Sequence, residues 1–401
     1  METNNIVTDD QHGFMKKRSC LTNLIMNLEE ITGMVDNGDM VDQIYLDLCK
    51  AFDKVPHQRL LYKLQQYGIS GTLLTWVESF LSHRQQRVKV NNSFSNWTDV
   101  TSGVPQGSVL GPVLFILYIN DLNDNLSHCS CKIFADDTKL THTANNESDA
   151  LMIQKDLNNL DDWCKEWKMY FNDSKCHVLH FGKRNWGHYY HLGGCLITPS
   201  SEEKDLGVII SNDLKVAKNV AYSVKKANKV IAMIKRTFSY LDKAMLVQLF
   251  KVYVRPHLEY CQQACAPYMI KDIDMIESAQ KRAIKLIKSL ESMTYEDRLK
   301  ELKLYSLKDR RIRGDLIFMH RIMTGDINVQ WRKLFTLKNY TRTRGHHMMV
   351  QRNKLCRLDS RNNFFTERVI GPWNSLPEHI VSSKSTTEFK NKYDKWRGLV
   401  A

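Results

Sequence analysis

The chain has 401 residues, 43% of them apolar, which is enough for one large core or two modest ones. No apolar run approaches the ~20 residues of a membrane span; the longest is Val113 to Ile119. The opening Met-Glu-Thr-Asn-Asn has neither a basic start nor an apolar stretch, so a secretory signal is not expected, and ten scattered cysteines without a Cys-x-x-Cys pair read as reduced intracellular thiols rather than disulfides or zinc ligands.

The net charge of +13 hides an asymmetry. Residues 1–214 carry 19 basic and 27 acidic side chains, a balance of −8, whereas residues 215–401 carry 38 and 17, a balance of +21. One half concentrates carboxylates, and the other attracts polyanions or forms a basic solvated face.

In chain order, a polar, basic stretch ends in Gln11-His-Gly-Phe14-Met-Lys-Lys-Arg18. Leu21, Leu24, Ile25 and Leu28 then have helical spacing, and Gly38-Asp39 breaks it. Val41 to Leu48 predicts a strand. Pro56 starts a helix that closes at Tyr67-Gly68, and a second helix runs over about 72–81. Arg87–Val90 and Trp97–Thr101 predict a strand pair joined by Asn-Asn-Ser. The glycine-rich loop Gly103-Val-Pro-Gln106-Gly107-Ser108 leads into an apolar helix over about 109–121. Cys131–Leu140 reads as strand, tight turn, strand. A helix capped by Ser148 or Asp149 should reach Trp167, with Val178–Phe181 and Leu206–Ile210 as further strands. Beyond Asp213 the pattern is helical and basic, which places a boundary near 214. Helices are expected over about 218–238, 242–256 and 272–290.

Three acids on two strands carry the chemical argument. Asp47 closes the first strand, and Asp136-Asp137 occupy the turn of the Cys131–Leu140 hairpin. Adjacent acids after an apolar strand are costly unless water or a cation neutralises them, so the pair is either a solvated turn or part of a site for a hard cation such as Mg²⁺. Two such ions support in-line displacement at phosphorus.

Tyr45-Leu-Asp47-Leu-Cys-Lys-Ala-Phe52-Asp53-Lys-Val-Pro-His57 resembles motif A of LINE-type (non-LTR, jockey-like) reverse transcriptases. Ser102-Gly-Val-Pro-Gln-Gly-Ser-Val-Leu-Gly-Pro-Val-Leu-Phe115 resembles motif B, Phe134-Ala-Asp-Asp137 motif C, Trp167 through Lys175 motif D, and Lys204-Asp-Leu-Gly-Val208 the primer-grip hairpin. The similarity continues through Tyr253–Tyr260, Arg310–Leu316 and Gly371–Pro377, so it covers nearly the whole chain.

The resemblance implies an α+β fold: a right-hand polymerase palm, antiparallel sheet with packed helices, followed by a helical thumb and a C-terminal extension. Its segments would be 1–40 as a remnant of fingers, 41–214 as palm, 215–300 as thumb and 301–401 as a basic extension. It implies RNA-directed DNA polymerisation of dNTPs on an RNA template from a DNA primer, with two Mg²⁺ ions held by Asp47, Asp136 and Asp137. Lys175 would protonate pyrophosphate. Phe52 would lie under the nucleotide sugar and exclude a 2′-hydroxyl, and Gln106 and Gly107 would pack against nucleotide and template. Asp53 is expected to brace a loop. Lys281, Lys285 and Lys288, on one helical face, would follow a phosphate backbone.

Arg310, Arg311, Arg313, Arg342 and Arg344 are expected either to bind the element's RNA or to be ordinary solvated arginines. The chain begins about ten residues before Gln11 without the family's upstream fingers motifs or its endonuclease, and Met15 stands where arginine is usual, so a truncated member is expected. A catalytically dead nucleic-acid-binding relic is the alternative. An RNA-dependent RNA polymerase palm is disfavoured by Phe52 and by Phe-Ala-Asp-Asp in place of Gly-Asp-Asp.

Overall fold

The structure, a computed structural model, describes residues 6–338, 345–352 and 356–398. It is an α+β protein of two compact units, residues 1–19 with 38–201, and 20–37 with 202–401. The division falls at 201/202, a little before the charge boundary near 214. The helix α1 (Cys20–Asn37) groups with the second unit, although the segments on either side of it belong to the first.

The first unit is built on a five-stranded sheet: β1 (Val41–Leu46), β2 (Ser130–Phe134), β3 (Asp137–Thr143), β4 (His177–Phe181) and β5 (Thr198–Ser200), in the order β5-β4-β1-β3-β2. The first strand is central and antiparallel to both neighbours, with Leu46 opposite Thr138 and Tyr45 opposite His177. All six of its residues are buried, Asp42 and Gln43 included, as in a central strand covered on both faces. Its one buried acid, Asp42, accepts from His180 Nδ1, Asn185 Nδ2 and the Tyr190 hydroxyl at 2.7–2.8 Å.

Helices α2 (His57–Gln66), α3 (Leu110–Ile119) and α4 (Glu147–Trp167) complete this core, with Leu60, Leu64, Phe115, Tyr118, Leu157 and Leu160 buried together. The α4 cap is Asn146, whose side chain accepts from Asp149 N; neither Ser148 nor Asp149 fills that place, because the chain is already helical at Glu147. The strand pairing over 85–99 also differs from the expected one. Lys89–Val90 pairs with Ser93–Phe94 across the Asn91-Asn92 turn, and Thr98–Asp99 pairs with Gln85–Gln86 further out. A two-residue turn pairs its immediate flanks first.

In the second unit, α5 (Ala217–Thr237) and α6 (Ile270–Ile284) pack around Val224, Ile231, Phe250, Ile276 and Ala283. The helix α6 stops at Ile284, short of the expected 290. Ile284, Ile287 and Leu290 are all buried, a spacing of three that the chain meets by leaving the α-helix for a 3-10 turn over Lys288–Leu290. Among the described residues no helix is long and apolar enough to cross a membrane.

Candidate active site

Motif A turns at the end of β1, and two separate stretches fold back against that turn. Asn172 N donates to Asp47 O at 2.8 Å and Cys49 N to Tyr170 O at 2.7 Å, which lays residues 170–172 beside 47–49. On the other flank Gly103 N donates to Val55 O and Val104 N to Phe52 O, both at 2.8 Å. Gly103 is required there: it has φ +88°, and a Cβ would stand 2.7 Å from Asp53 O. Asp53 accepts from Gln106 Nε2 at 2.8 Å on its carboxylate and from Ser102 Oγ at 2.9 Å on its carbonyl. The loop-bracing geometry expected of Asp53 is therefore present, and the Gln106 amide is engaged with it.

Strand register carries the acids to one end of the sheet. Asp47 follows Leu46, which faces Thr138, and Asp137 closes the hairpin opposite Phe134. The turn between them passes through Ala135 at φ +55°, a left-handed conformation that costs a non-glycine residue roughly 1–2 kcal/mol. The Lys175 ammonium donates to Asp47 Oδ2 at 3.0 Å. The Asp136 carboxyl is held above its usual range, first by burial and then by the charge of Asp47. The Lys175 amine is held above its usual range by its hydrogen bond to Asp47, with Asp136 and Asp137 adding to the effect. These four charged groups thus feel one another.

Two carboxylates on adjoining strand ends and a third at the turn offer the hard oxygen donors that Mg²⁺ takes, so the donor chemistry fits. Among the described residues, however, no three His, Cys, Asp or Glu side chains already stand in metal-holding geometry. Asp47 is instead neutralised by Lys175. Phe52 is half-buried, stacked on Phe115 with centroids 4.2 Å apart and met edge-on by Phe14 at 6.3 Å. An open cleft of about 670 Å³ adjoins the motif A–motif B junction, lined by Lys50, Asp53, Arg84, Ser102, Gly103 and Gln106.

The basic residues of the second half divide. Lys281, Lys285 and Lys288 are all exposed, but only Lys281 lies inside α6; Lys285 is its C-cap and Lys288 sits in the following turn, so they do not share one continuous helical face. Arg310 is paired with Glu259 and Arg313 with Asp394, while Arg311 is buried. These three are structural ties rather than a free basic surface. Arg342 and Arg344 lie outside the described residues. The sequence assigns Gln11 no role, yet it is 1% exposed and bonded to the Ala135 turn. Its sequence signal is the Gln11-x-Gly13-Phe14 stretch, which serves as a family landmark but does not reveal what the side chain touches.

A reverse transcriptase (RNA-dependent DNA polymerase) family model matches residues 1–241. The chain is 26% identical over 319 residues to a probable RNA-directed DNA polymerase from transposon X-element of Drosophila melanogaster, covering 77% of this chain and 35% of that protein. It is 25% identical over 313 residues to the RNA-directed DNA polymerase from mobile element jockey of the same species, covering 75% and 33%. The chain thus spans about a third of the length of these relatives. A structure of telomerase from Candida albicans with a fragment of telomeric RNA aligns at a TM-score of 0.39 and 9% identity, over 67% of this chain and 52% of that one. With the family model spanning more than half its length, the chain belongs to the reverse transcriptase family.

Proposed function

We propose that this chain is the RNA-directed DNA polymerase portion of a LINE-type mobile element, adding dNTPs to a primer 3′-hydroxyl on an RNA template. The observation that carries the reading is the 3.0 Å hydrogen bond from Lys175 to Asp47 at the end of the sheet where the Asp136-Asp137 hairpin turns.

Asp47, Asp136 and Asp137 would hold two Mg²⁺ ions. Bound there, the ions would activate the primer hydroxyl and stabilise charge on the leaving pyrophosphate. Lys175, held charged and in place by its hydrogen bond to Asp47, would be the proton source for a pyrophosphate oxygen once a metal ion takes over that carboxylate. Phe52, stacked on Phe115, would bar a 2′-hydroxyl by bulk. The Gly103–Gly107 loop, tied to Asp53, forms a wall of the cleft that would receive nucleotide and template, and Lys50 and Arg84 line it with positive charge.

In this reading the sheet unit is the palm, and the bundle formed by α5, α6 and their neighbours is the thumb, whose lysines grip the duplex backbone without reading bases. Residues 301–401 remain a C-terminal extension.

Primer extension on a homopolymer RNA template with Mg²⁺ and labelled dNTP tests the proposal, with Asp136→Asn as control. Extension by the chain and none by the variant is expected. A chain that binds the template–primer but never extends it, with Mg²⁺ or Mn²⁺, would leave the nucleic-acid-binding relic as the better reading.

A further inference from the structure

The segment Asp10–Phe14 has no task in the mechanism above, yet it is locked onto the hairpin that carries two of the acids. His12 N donates to Ile133 O at 2.9 Å and Ile133 N to Asp10 O at 3.0 Å, so the segment runs along the outer edge of β2. From there the Gln11 side chain reaches the turn. Its Oε1 accepts from Ala135 N at 2.9 Å and from Gly13 N at 2.7 Å, and its Nε2 lies 3.4 Å from Ala135 O as donor. The close approach depends on Gly13, where a Cβ would stand 2.3 Å from Ala135 N. Arg18 fixes the segment from behind by donating to Gln11 O at 2.8 Å and Asp9 O at 2.6 Å.

We infer that Gln11 is a positioning residue for Asp136 and Asp137. Ala135 holds a left-handed φ without the freedom of glycine, and the primary amide of Gln11 meets both its N–H and its C=O. A turn clamped on both sides launches Asp136 and Asp137 in one direction, which a site built from their carboxylates needs. Glutamine suits the place because one planar group supplies acceptor and donor together. Glutamate keeps the acceptor and loses the donor, and methionine fills the volume with neither. The inference rests on the polymerase reading for its consequence, but the clamp itself does not.

The test uses the full chain as wild type, Gln11→Met and Gln11→Glu. Amide hydrogen exchange is followed by NMR with labelled alanine, glycine and leucine. In Gln11→Met, exchange at Ala135 and Gly13 should quicken about tenfold or more while Leu140, inside the sheet, is unchanged. Mn²⁺ affinity, titrated by electron paramagnetic resonance, should weaken about tenfold, and kcat for primer extension should fall at least about tenfold with the template–primer KM unmoved. Gln11→Glu should recover part of the amide protection and part of the Mn²⁺ affinity.

Unchanged exchange at Ala135 in Gln11→Met overturns the clamp. Faster exchange with wild-type Mn²⁺ affinity overturns the positioning role, as does a uniform loss across all amides. A wild-type chain that binds no Mn²⁺ counts against the polymerase reading, and the exchange rates at Ala135 still decide the clamp.

Discussion

Lys175 donates to Asp47 across 3.0 Å, so the carboxylate expected to hold a metal ion is already engaged by a cation of the chain's own. The Lys175 side chain is 62% exposed and can swing away, whereas the carboxylate is anchored at a strand end. Lys175 and a divalent cation then compete for one oxygen. Lys175→Met should bind Mn²⁺ several-fold more tightly than wild type yet turn over ~10²-fold more slowly, having lost its acid. Isothermal titration with Mn²⁺ beside single-turnover extension checks both; weaker metal binding in the variant would contradict the competition.

Asp136 makes the opposite trade. A carboxyl whose value in the fold lies above that of the unfolded chain favours its protonated form there. Stability is therefore gained as pH falls through the raised value and lost as pH rises through it. Asp136→Asn removes that loss. The metal-free variant should melt higher than wild type at pH 7.5, by about 2–4 °C for each kcal/mol recovered, while losing extension. The gap should narrow on acidification. Differential scanning fluorimetry at the two pH values measures it, and a variant that melts lower at pH 7.5 would show that the carboxylate is not destabilising.

Phe52 and Asp53 are neighbours with separable effects. Phe52→Val should admit ribonucleotides roughly ten- to hundred-fold better relative to dNTPs, the range expected when an overpacking penalty of ~1–3 kcal/mol is relieved. Asp53→Ala frees the Gln106 amide and should raise the nucleotide KM without changing sugar preference. Single-nucleotide incorporation with matched dNTP and rNTP distinguishes them. If Asp53→Ala relaxes sugar choice and Phe52→Val does not, the RNA-polymerase reading becomes the better one.

The exposed lysines after the middle of α6 give a salt-dependent prediction. Every phosphate that is no longer neutralised should lower the slope of log affinity against log salt by about 0.9 for duplex DNA. Lys281→Glu, Lys285→Glu and Lys288→Glu together should flatten the curve for an RNA–DNA duplex, measured on the whole chain by fluorescence anisotropy. An unchanged slope would remove these residues from the duplex path. A 215–401 fragment is a poor substitute, since it omits α1 and residues 202–214, which belong to the same compact unit.

The acids were legible in the sequence because Asp136-Asp137 after an apolar strand is an energetic anomaly, and strand register then carries Asp47 to the same end of the sheet. Asp53 is expected to brace a loop because Phe52 and the Phe-Ala-Asp-Asp turn speak against a sugar-reading acid, and its partners Ser102 and Gln106, 49 and 53 residues on, appear only in the fold. Other features were not legible. Periodicity marks α1 as amphipathic but says nothing of which core receives its apolar face. The i, i+4, i+7 spacing of Lys281, Lys285 and Lys288 describes a face only while the helix lasts, and it ends at Ile284. The role of Gln11 depends on two backbone amides, one of them 124 residues away.

The long-range ties of α1 bear on how the chain is made. Leu24, Ile25, Leu28 and Ile31 are buried in the finished molecule. Glu29 receives Arg361 and Thr366, and Asp36 accepts from the amides of Arg357 and Leu358 at 2.7–2.8 Å. During synthesis these partners leave the ribosome more than 300 positions after the helix. At ~5–20 residues per second that interval is on the order of tens of seconds. For all that time Glu29 and Asp36 wait without these partners, so the closing of α1 onto residues 357–366 is a late event in the making of the chain.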